Sequence, residues 1–145
     1  MAYPFDAILV VKGPARDLNA FATSSFRPHT VRGNPAYGWP ARSPIERRRL
    51  SAGVIRYDWN YKYPSPRSWV WAAAGAFPTL ELTLIVCDDL EESFWMGAVQ
   101  GDRAIREEAV DRVKMGKLSD RAFFDYLRRT VERWLREAGC PPSGV

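Results

Sequence analysis

Val54-Ile-Arg-Tyr-Asp-Trp-Asn-Tyr-Lys-Tyr63 is the stretch that decides the fold, because its side chains alternate in character without a break. The residues at every second position, from Ile55 to Tyr63, are large and mostly aromatic, whereas the residues between them are mainly polar. A period of two places one set of side chains on each face of a β-strand. The stretch therefore predicts a strand with one aromatic face.

The residues after this strand predict a helix and two further strands. The helix begins near Ser65-Pro66 and ends at Phe77-Pro78, because proline fits the first turn of a helix but not its interior. Residues 79–87 are an apolar strand, and residues 93–101 are another, which ends in a turn at Gln100-Gly101-Asp102. We expect the two strands joined by the helix to be parallel, with a right-handed connection.

The rest of the chain adds elements on both sides of this unit. Phe5–Lys12 predicts a strand that is apolar on both faces, and Pro14 starts a helix after it. Residues 27–52 form an irregular, arginine- and proline-rich excursion, in which Ser43-Pro-Ile-Glu46 matches the capping box of a short helix. Residues 103–110 predict a return strand, although the spacing of their apolar residues also fits a helix. Residues 119–138 predict a C-terminal helix capped by Ser119.

These elements predict one α+β domain that spans residues 1–145. Their order is typical of a ferredoxin-like sandwich, in which two helices cover one face of an antiparallel sheet. The long basic excursion, the added hairpin strand and the C-terminal helix extend this core. The apolar run Ala7–Val11 is too short for a signal peptide or a membrane span, so we expect a cytoplasmic protein with no membrane segment. Cys87 and Cys140 are expected to be free thiols.

The middle of the chain resembles a known family. Trp59-Asn-Tyr-Lys-Tyr-Pro64-Ser-Pro66 is an aromatic strand end that runs into a proline-started helix, and Phe77-Pro78 stops that helix before an apolar strand. Phe94-Trp-Met-Gly97 and the turn residue Gly101 follow in order. In order and spacing these segments resemble the YubB-type ferredoxin-like domain of plasmid- and phage-borne proteins. The resemblance implies a ferredoxin-like fold and a mobile-element setting, and the family has no established chemistry to transfer.

Charge is segregated along the chain, although the net charge is only +4. Residues 27–67 hold nine basic residues against two acidic ones, a net charge of +7, and residues 81–111 hold nine acidic residues against two basic ones, a net charge of −7. Each segment is a candidate partner-binding surface unless its charges are simply solvated. The candidate residues are Arg32, Arg42, Arg47, Arg48 and Arg49 in the excursion and Asp88, Asp89, Glu91 and Glu92 in an acidic turn.

The aromatic row has two alternative interpretations. Tyr57, Trp59 and Tyr61 could stack on the bases of a single-stranded nucleic acid, as aromatic residues do on open sheet faces. The same row could instead pack in the core beneath the helices. The sequence leaves open which face of the sheet is exposed.

No catalytic constellation is evident in the sequence. His29 lies in a proline-flanked loop, and the chain lacks a glycine-rich phosphate loop, a CxxC pair and the HExxH and GxSxG motifs. We expect no catalytic residue, no metal and no cofactor. The sequence favours a non-enzymatic phage or plasmid accessory protein that binds a host protein or nucleoprotein complex and inhibits a CRISPR-type defence or a nucleic-acid-processing complex. The alternative is a single-stranded nucleic-acid-binding module.

Overall fold

The structure, a computed structural model, describes residues 6–28, 45–61, 65–88 and 93–141. Within these residues the chain forms six strands and three helices, an α+β arrangement. In chain order the elements are β1 (Ala7–Lys12), α1 (Ala15–Thr23), β2 (Glu46–Ser51), β3 (Val54–Trp59), α2 (Trp69–Ala76), β4 (Glu81–Asp88), β5 (Ser93–Gln100), β6 (Arg103–Asp111) and α3 (Asp120–Glu137). No helix in this described part is long and apolar enough to span a bilayer.

The strands form one open sheet in the order β2-β3-β1-β4-β5-β6, and each pair of neighbours is antiparallel. β3 lies between β1 and β2, and β1 lies between β3 and β4. The connections through α1 and α2 therefore each pass over one interposed strand. β3 and β4 run in the same direction, as the helix between them predicted, but they pair with β1 and not with each other.

Helices cover both faces of the sheet. On one face, α1 and α2 bury Leu9 of β1 together with Tyr57 and Trp59 of β3. On the other face, α3 buries Val10 of β1 and Met96 of β5. The strand β1 is apolar on both faces because it lies in the middle of the sheet, with a helix layer above it and another below.

The structure tests three sequence-based predictions of secondary structure: a short helix, a return strand and a C-terminal helix. The predicted short helix near residues 43–49 is wrong, because Glu46–Ser51 is strand β2, paired with β3. A capping-box match and local helix propensity are weak preferences. Backbone hydrogen bonding to the neighbouring strand β3 outweighs them here. The return strand is confirmed as β6, and the C-terminal helix is confirmed as α3, with the Ser119 side chain accepting a hydrogen bond from the Ala122 backbone at 3.2 Å.

One glycine shapes the packing of β5. A Cβ atom on Gly97 would lie only 2.2 Å from Cη2 of Trp95. The indole of Trp95 therefore occupies the space that a side chain at position 97 would need. Gly97 allows this buried tryptophan to lie close against the strand that carries it.

Candidate binding surface

The aromatic row lies in the core. Tyr57 and Trp59 are 1% and 0% exposed, and the Tyr57 ring meets the Phe21 ring of α1 edge to face, with 6.1 Å between the centroids. Neither ring has a face open to a base, so their burial does not fit the stacking role that the sequence suggested. Tyr61 is half-buried, and its hydroxyl donates a hydrogen bond to the Cys87 carbonyl at 2.8 Å. The burial of Tyr57 and Trp59 therefore favours the core interpretation of the aromatic row over the stacking interpretation.

The arginine run lies on the terminal strand of the sheet. Arg47, Arg48 and Arg49 are consecutive residues of β2, and all three are exposed. Arg47 is opposite Tyr57 and Arg48 is opposite Arg56 in the pairing with β3. Because neighbouring strand residues alternate between faces, Arg47 and Arg49 lie on the α1 side and Arg48 on the α3 side. We call these three residues the arginine edge.

The arginine edge has no acidic partner within the described residues. None of Arg47, Arg48 and Arg49 forms a salt bridge there, although other arginines do. Arg49 is held by neutral groups, since it donates to Asn19 Oδ1 at 2.8 Å and to the backbone carbonyls of Ser51 and Ala52. The three positive charges are therefore not neutralised by the part of the chain that the structure describes.

At the opposite edge of the sheet, two arginines form ion pairs within the fold. Arg133 of α3 pairs with Glu108 of β6 at 2.5 Å, and Glu108 also accepts a hydrogen bond from Trp134 Nε1 at 2.7 Å. Arg106 pairs with Glu137 and lies 3.7 Å from the centroid of the Trp134 ring. Burial lowers the pKa of Arg106, and the charge of Arg133 lowers it further. These contacts attach α3 to β6.

The charge segregation of the sequence becomes a segregation in space. The basic segment supplies β2 and β3 at one side of the sheet, whereas the acidic segment supplies β4, β5 and β6 at the other. Asp88 is the last residue of β4. The other predicted binding residues, Arg32, Arg42, Asp89, Glu91 and Glu92, lie outside the described residues. Of the predicted basic binding residues, only Arg47, Arg48 and Arg49 lie in the described part of the chain, and all three are on the terminal strand β2.

A buried hydroxyl lies beside the arginine edge. The Tyr57 hydroxyl is buried and lies beside the Arg47 side chain. Burial raises the pKa of Tyr57, while the positive charges of Arg47, Arg27 and Arg49 and a hydrogen bond from the Arg47 side chain act in the opposite direction. The sequence does not single out Arg27, because this residue comes near Tyr57 of β3 only when α1 packs on the sheet.

A buried ion pair lies on the α3 side of β3. Arg56 donates to both carboxylate oxygens of Asp58, at 2.7 and 2.8 Å, and Asp58 is only 4% exposed. Burial lowers the pKa of Arg56, but the hydrogen bond and charge of Asp58 outweigh this effect and leave the pKa raised. Cys140 is also buried there, and burial raises the pKa of its thiol. Both cysteines are free, as expected.

Two features of the described residues bear on ligand chemistry. No group of three or more histidine, cysteine, aspartate or glutamate side chains there could hold a metal ion. A cavity of about 330 Å³ opens beside the start of β5 and the end of β6, where the Arg67 guanidinium lies 4.7 Å from the centroid of the Trp95 ring. Trp95 also donates a long hydrogen bond to Glu107 at 3.4 Å.

Comparison of the chain with models of protein families, with curated proteins and with solved structures gives no match.

Proposed function

We propose that this protein is a non-enzymatic accessory protein that binds an acidic surface of a host macromolecule through its arginine edge. One observation carries the proposal: Arg47, Arg48 and Arg49 are exposed on a terminal strand and form no salt bridge within the described residues. Arg121, Arg129 and Arg136 are also exposed and form no salt bridge among the described residues, but they are spaced along α3, whereas Arg47, Arg48 and Arg49 are consecutive on a sheet edge.

Electrostatics explains why unpaired arginines suit a binding surface. A run of like charges on one strand raises the electrostatic energy of the free protein, and an acidic partner removes that repulsion on binding. A guanidinium can donate two parallel hydrogen bonds to one carboxylate, which adds geometric specificity. Arginine is also among the residues most often found at the energetic centre of interfaces. Complementary charge speeds association and makes it sensitive to salt.

The fold assigned under this proposal is the ferredoxin-like domain of the YubB type. The strand order β4-β1-β3-β2, with antiparallel neighbours and crossovers through α1 and α2, has the split βαβ pattern of that fold. β5, β6 and α3 then extend this core. The resemblance supplies the setting, a phage or plasmid protein in the cytoplasm of a bacterial host. Steric inhibition of a CRISPR-type defence or of a nucleic-acid-processing complex is the proposed action.

The burial of the aromatic row favours a protein partner over a single-stranded nucleic acid. Base stacking on aromatic side chains contributes about 1–3 kcal/mol per base in single-strand binding. Tyr57 and Trp59 cannot supply this term because their rings are buried. The alternative, a nucleic-acid-binding module, would depend on contacts between the arginine edge and phosphates alone.

Affinity capture from host lysate tests the proposal. The wild-type chain and the triple variant Arg47→Gln/Arg48→Gln/Arg49→Gln serve as baits, with and without nuclease, and mass spectrometry quantifies the recovered proteins. We expect a stoichiometric protein partner that survives nuclease and is lost with the triple variant. Repeated recovery of no partner, or equal recovery by both baits, contradicts the proposal.

The alternative function has its own measurement. Fluorescence anisotropy with labelled single-stranded oligonucleotides at low salt detects binding through phosphates, which weakens steeply as salt rises. Tight, salt-sensitive binding that the triple variant loses would replace the protein-partner proposal with the nucleic-acid one. We expect no such binding at physiological salt.

A further inference from the structure

A cavity of about 330 Å³ opens to solvent at one end of the β5–β6 strand pair. Ser93, the first residue of β5, pairs with Asp111, the last residue of β6, and both line this cavity. Phe94 packs on the α3 side of the sheet and Trp95 on the side of α1 and α2, so side chains from both faces border the cavity. Its volume falls at the lower end of the range for small-molecule sites. We call it the β5–β6 cavity.

The wall of the β5–β6 cavity is largely aromatic and apolar. Phe94 and Trp95 of β5 are each 3% exposed, and Tyr126 of α3, which also lines the cavity, is 36% exposed. Val110 and Met115 add aliphatic and thioether surface between them. Offset and edge-to-face contacts between rings add to the effect of apolar burial. A wall of this composition therefore favours a ligand with an aromatic ring.

Two positively charged side chains border this wall. The Arg67 guanidinium lies 4.7 Å from the centroid of the Trp95 ring, and this contact orients it. Arg67 and Lys114 both line the cavity, are exposed, and form no salt bridge within the described residues. Asp111 lines the cavity too, but its Oδ1 accepts hydrogen bonds from the backbone N–H groups of Val113 at 2.9 Å and Lys114 at 3.3 Å. The cavity therefore combines an apolar wall with cations that lack a partner.

We propose that the β5–β6 cavity binds a small aromatic carboxylate. The ring packs against Phe94, Trp95 and Tyr126, and the carboxylate accepts hydrogen bonds from Arg67 at the mouth of the cavity. Stacking on Trp95 uses one face of the guanidinium, and its N–H groups, which lie in the guanidinium plane, match the two oxygens of a carboxylate. Lys114 adds positive charge from the β6 side.

The size and place of the cavity define the ligand further. A water molecule occupies about 30 Å³ in the liquid, so the cavity holds about eleven groups of that size. This volume suits one ring with a short acidic side chain and excludes a dinucleotide or a long peptide. β5 and β6 lie at the opposite side of the sheet from β2, so this proposal does not depend on the arginine edge.

Titration of the purified chain with 4-hydroxyphenylacetate tests the proposal, followed by backbone amide and indole NMR shifts at constant pH and ionic strength. We expect saturable shifts at Trp95, Asp111 and Lys114, with a dissociation constant of about 1 mM or lower. The uncharged amide of the same compound should bind at least about tenfold more weakly, because it lacks the carboxylate. Acetate has the charge but no ring, and it should give no saturable shift at the same concentrations.

Two alanines of β6 provide a matched pair of variants. Ala109 is exposed, lines the cavity and is directly opposite Trp95, whereas Ala104 is equally an exposed residue of β6 but lies outside the cavity. Ala109→Leu fills part of the cavity and should weaken binding by at least about tenfold. Ala104→Leu should stay within about twofold of the wild type. Thermal melts check that both variants fold, as expected for exposed positions.

Two arginines provide a second matched pair. Arg67→Gln removes the cation at the mouth of the cavity, and Arg103→Gln removes the same charge from an exposed position at the start of β6. We expect Arg67→Gln to weaken binding by at least about fivefold and Arg103→Gln by less than about twofold. The proposal is overturned by an absence of saturable shifts at about 10 mM probe, by equal binding of the acid and its amide, or by equal affinities within either pair of variants.

Discussion

Replacing Trp59 with alanine distinguishes a core role of the aromatic row from a binding role. The side chain is fully buried beneath α1 and α2, so its removal leaves a cavity in a packed interior. Truncations of this kind cost about 3–5 kcal/mol of unfolding free energy. For a chain near this length, each kcal/mol lowers the melting temperature by about 3 °C, so the expected decrease is about 10–15 °C.

Trp71 provides the matched control for this substitution. Trp71 is a residue of α2, the helix that helps to cover Trp59, but its own side chain is 36% exposed. Trp71→Ala should cost less than about 1 kcal/mol, since few of its contacts are internal. Calorimetry and urea unfolding measure both variants. Equal losses, or a Trp59→Ala loss below about 1 kcal/mol, would show that the aromatic face is not the core described above.

Three further perturbations test the packing around the sheet. Asp58→Ala should destabilise the fold by about 3 kcal/mol in urea unfolding, because it leaves the partly buried Arg56 without its carboxylate; a loss under about 1 kcal/mol would contradict this role. Gly97→Ala should cost about 1–3 kcal/mol, because the new methyl group collides with Trp95, and a neutral result would mean that the indole lies elsewhere. Burial raises the thiol pKa of Cys140 in the folded chain, so the unfolded chain loses this proton at a lower pH than the folded chain does. Stability should therefore decrease as pH rises above about 9, by up to about 1.4 kcal/mol per unit. Cys140→Ala should reduce this slope, despite the opposing charge of Arg56, and an unchanged slope in pH-dependent melts would contradict the assignment.

The sequence predicts most strands and helices of this fold, because their patterns are local. The alternation of residues 54–59, the proline-bounded helix and the periodic C-terminal helix all depend on short-range geometry. Strand β2 escaped prediction because Glu46–Ser51 has no apolar alternation, and only its pairing with β3 makes it a strand. The apolar character of both faces of β1 indicated burial on two sides. Only the tertiary structure shows that α3 is the helix that packs on the second face of the sheet.

The sequence predicts which arginines belong to the candidate site, but it does not predict which arginines form ion pairs within the fold. The arginines of residues 47–49 stand out in the sequence as a run, whereas no pattern marks Arg106 or Arg133. Their roles differ because Arg133 finds Glu108, 25 residues away, only when α3 lies across β6. Contacts between segments that are distant in the sequence decide which arginines form ion pairs. Local sequence patterns therefore cannot predict the pairing.

The affinity of the captured partner for two triple variants tests the central claim most directly. Arg47→Gln/Arg48→Gln/Arg49→Gln alters the arginine edge, and Arg121→Gln/Arg129→Gln/Arg136→Gln removes the same charge from exposed positions of α3. Calorimetric titration gives both dissociation constants. If the arginine edge is the binding surface, the first variant binds at least about tenfold more weakly than the wild type, a loss of about 1.4 kcal/mol or more, and the second stays within about twofold. Equal weakening by both variants, or wild-type affinity in the first, would contradict the account.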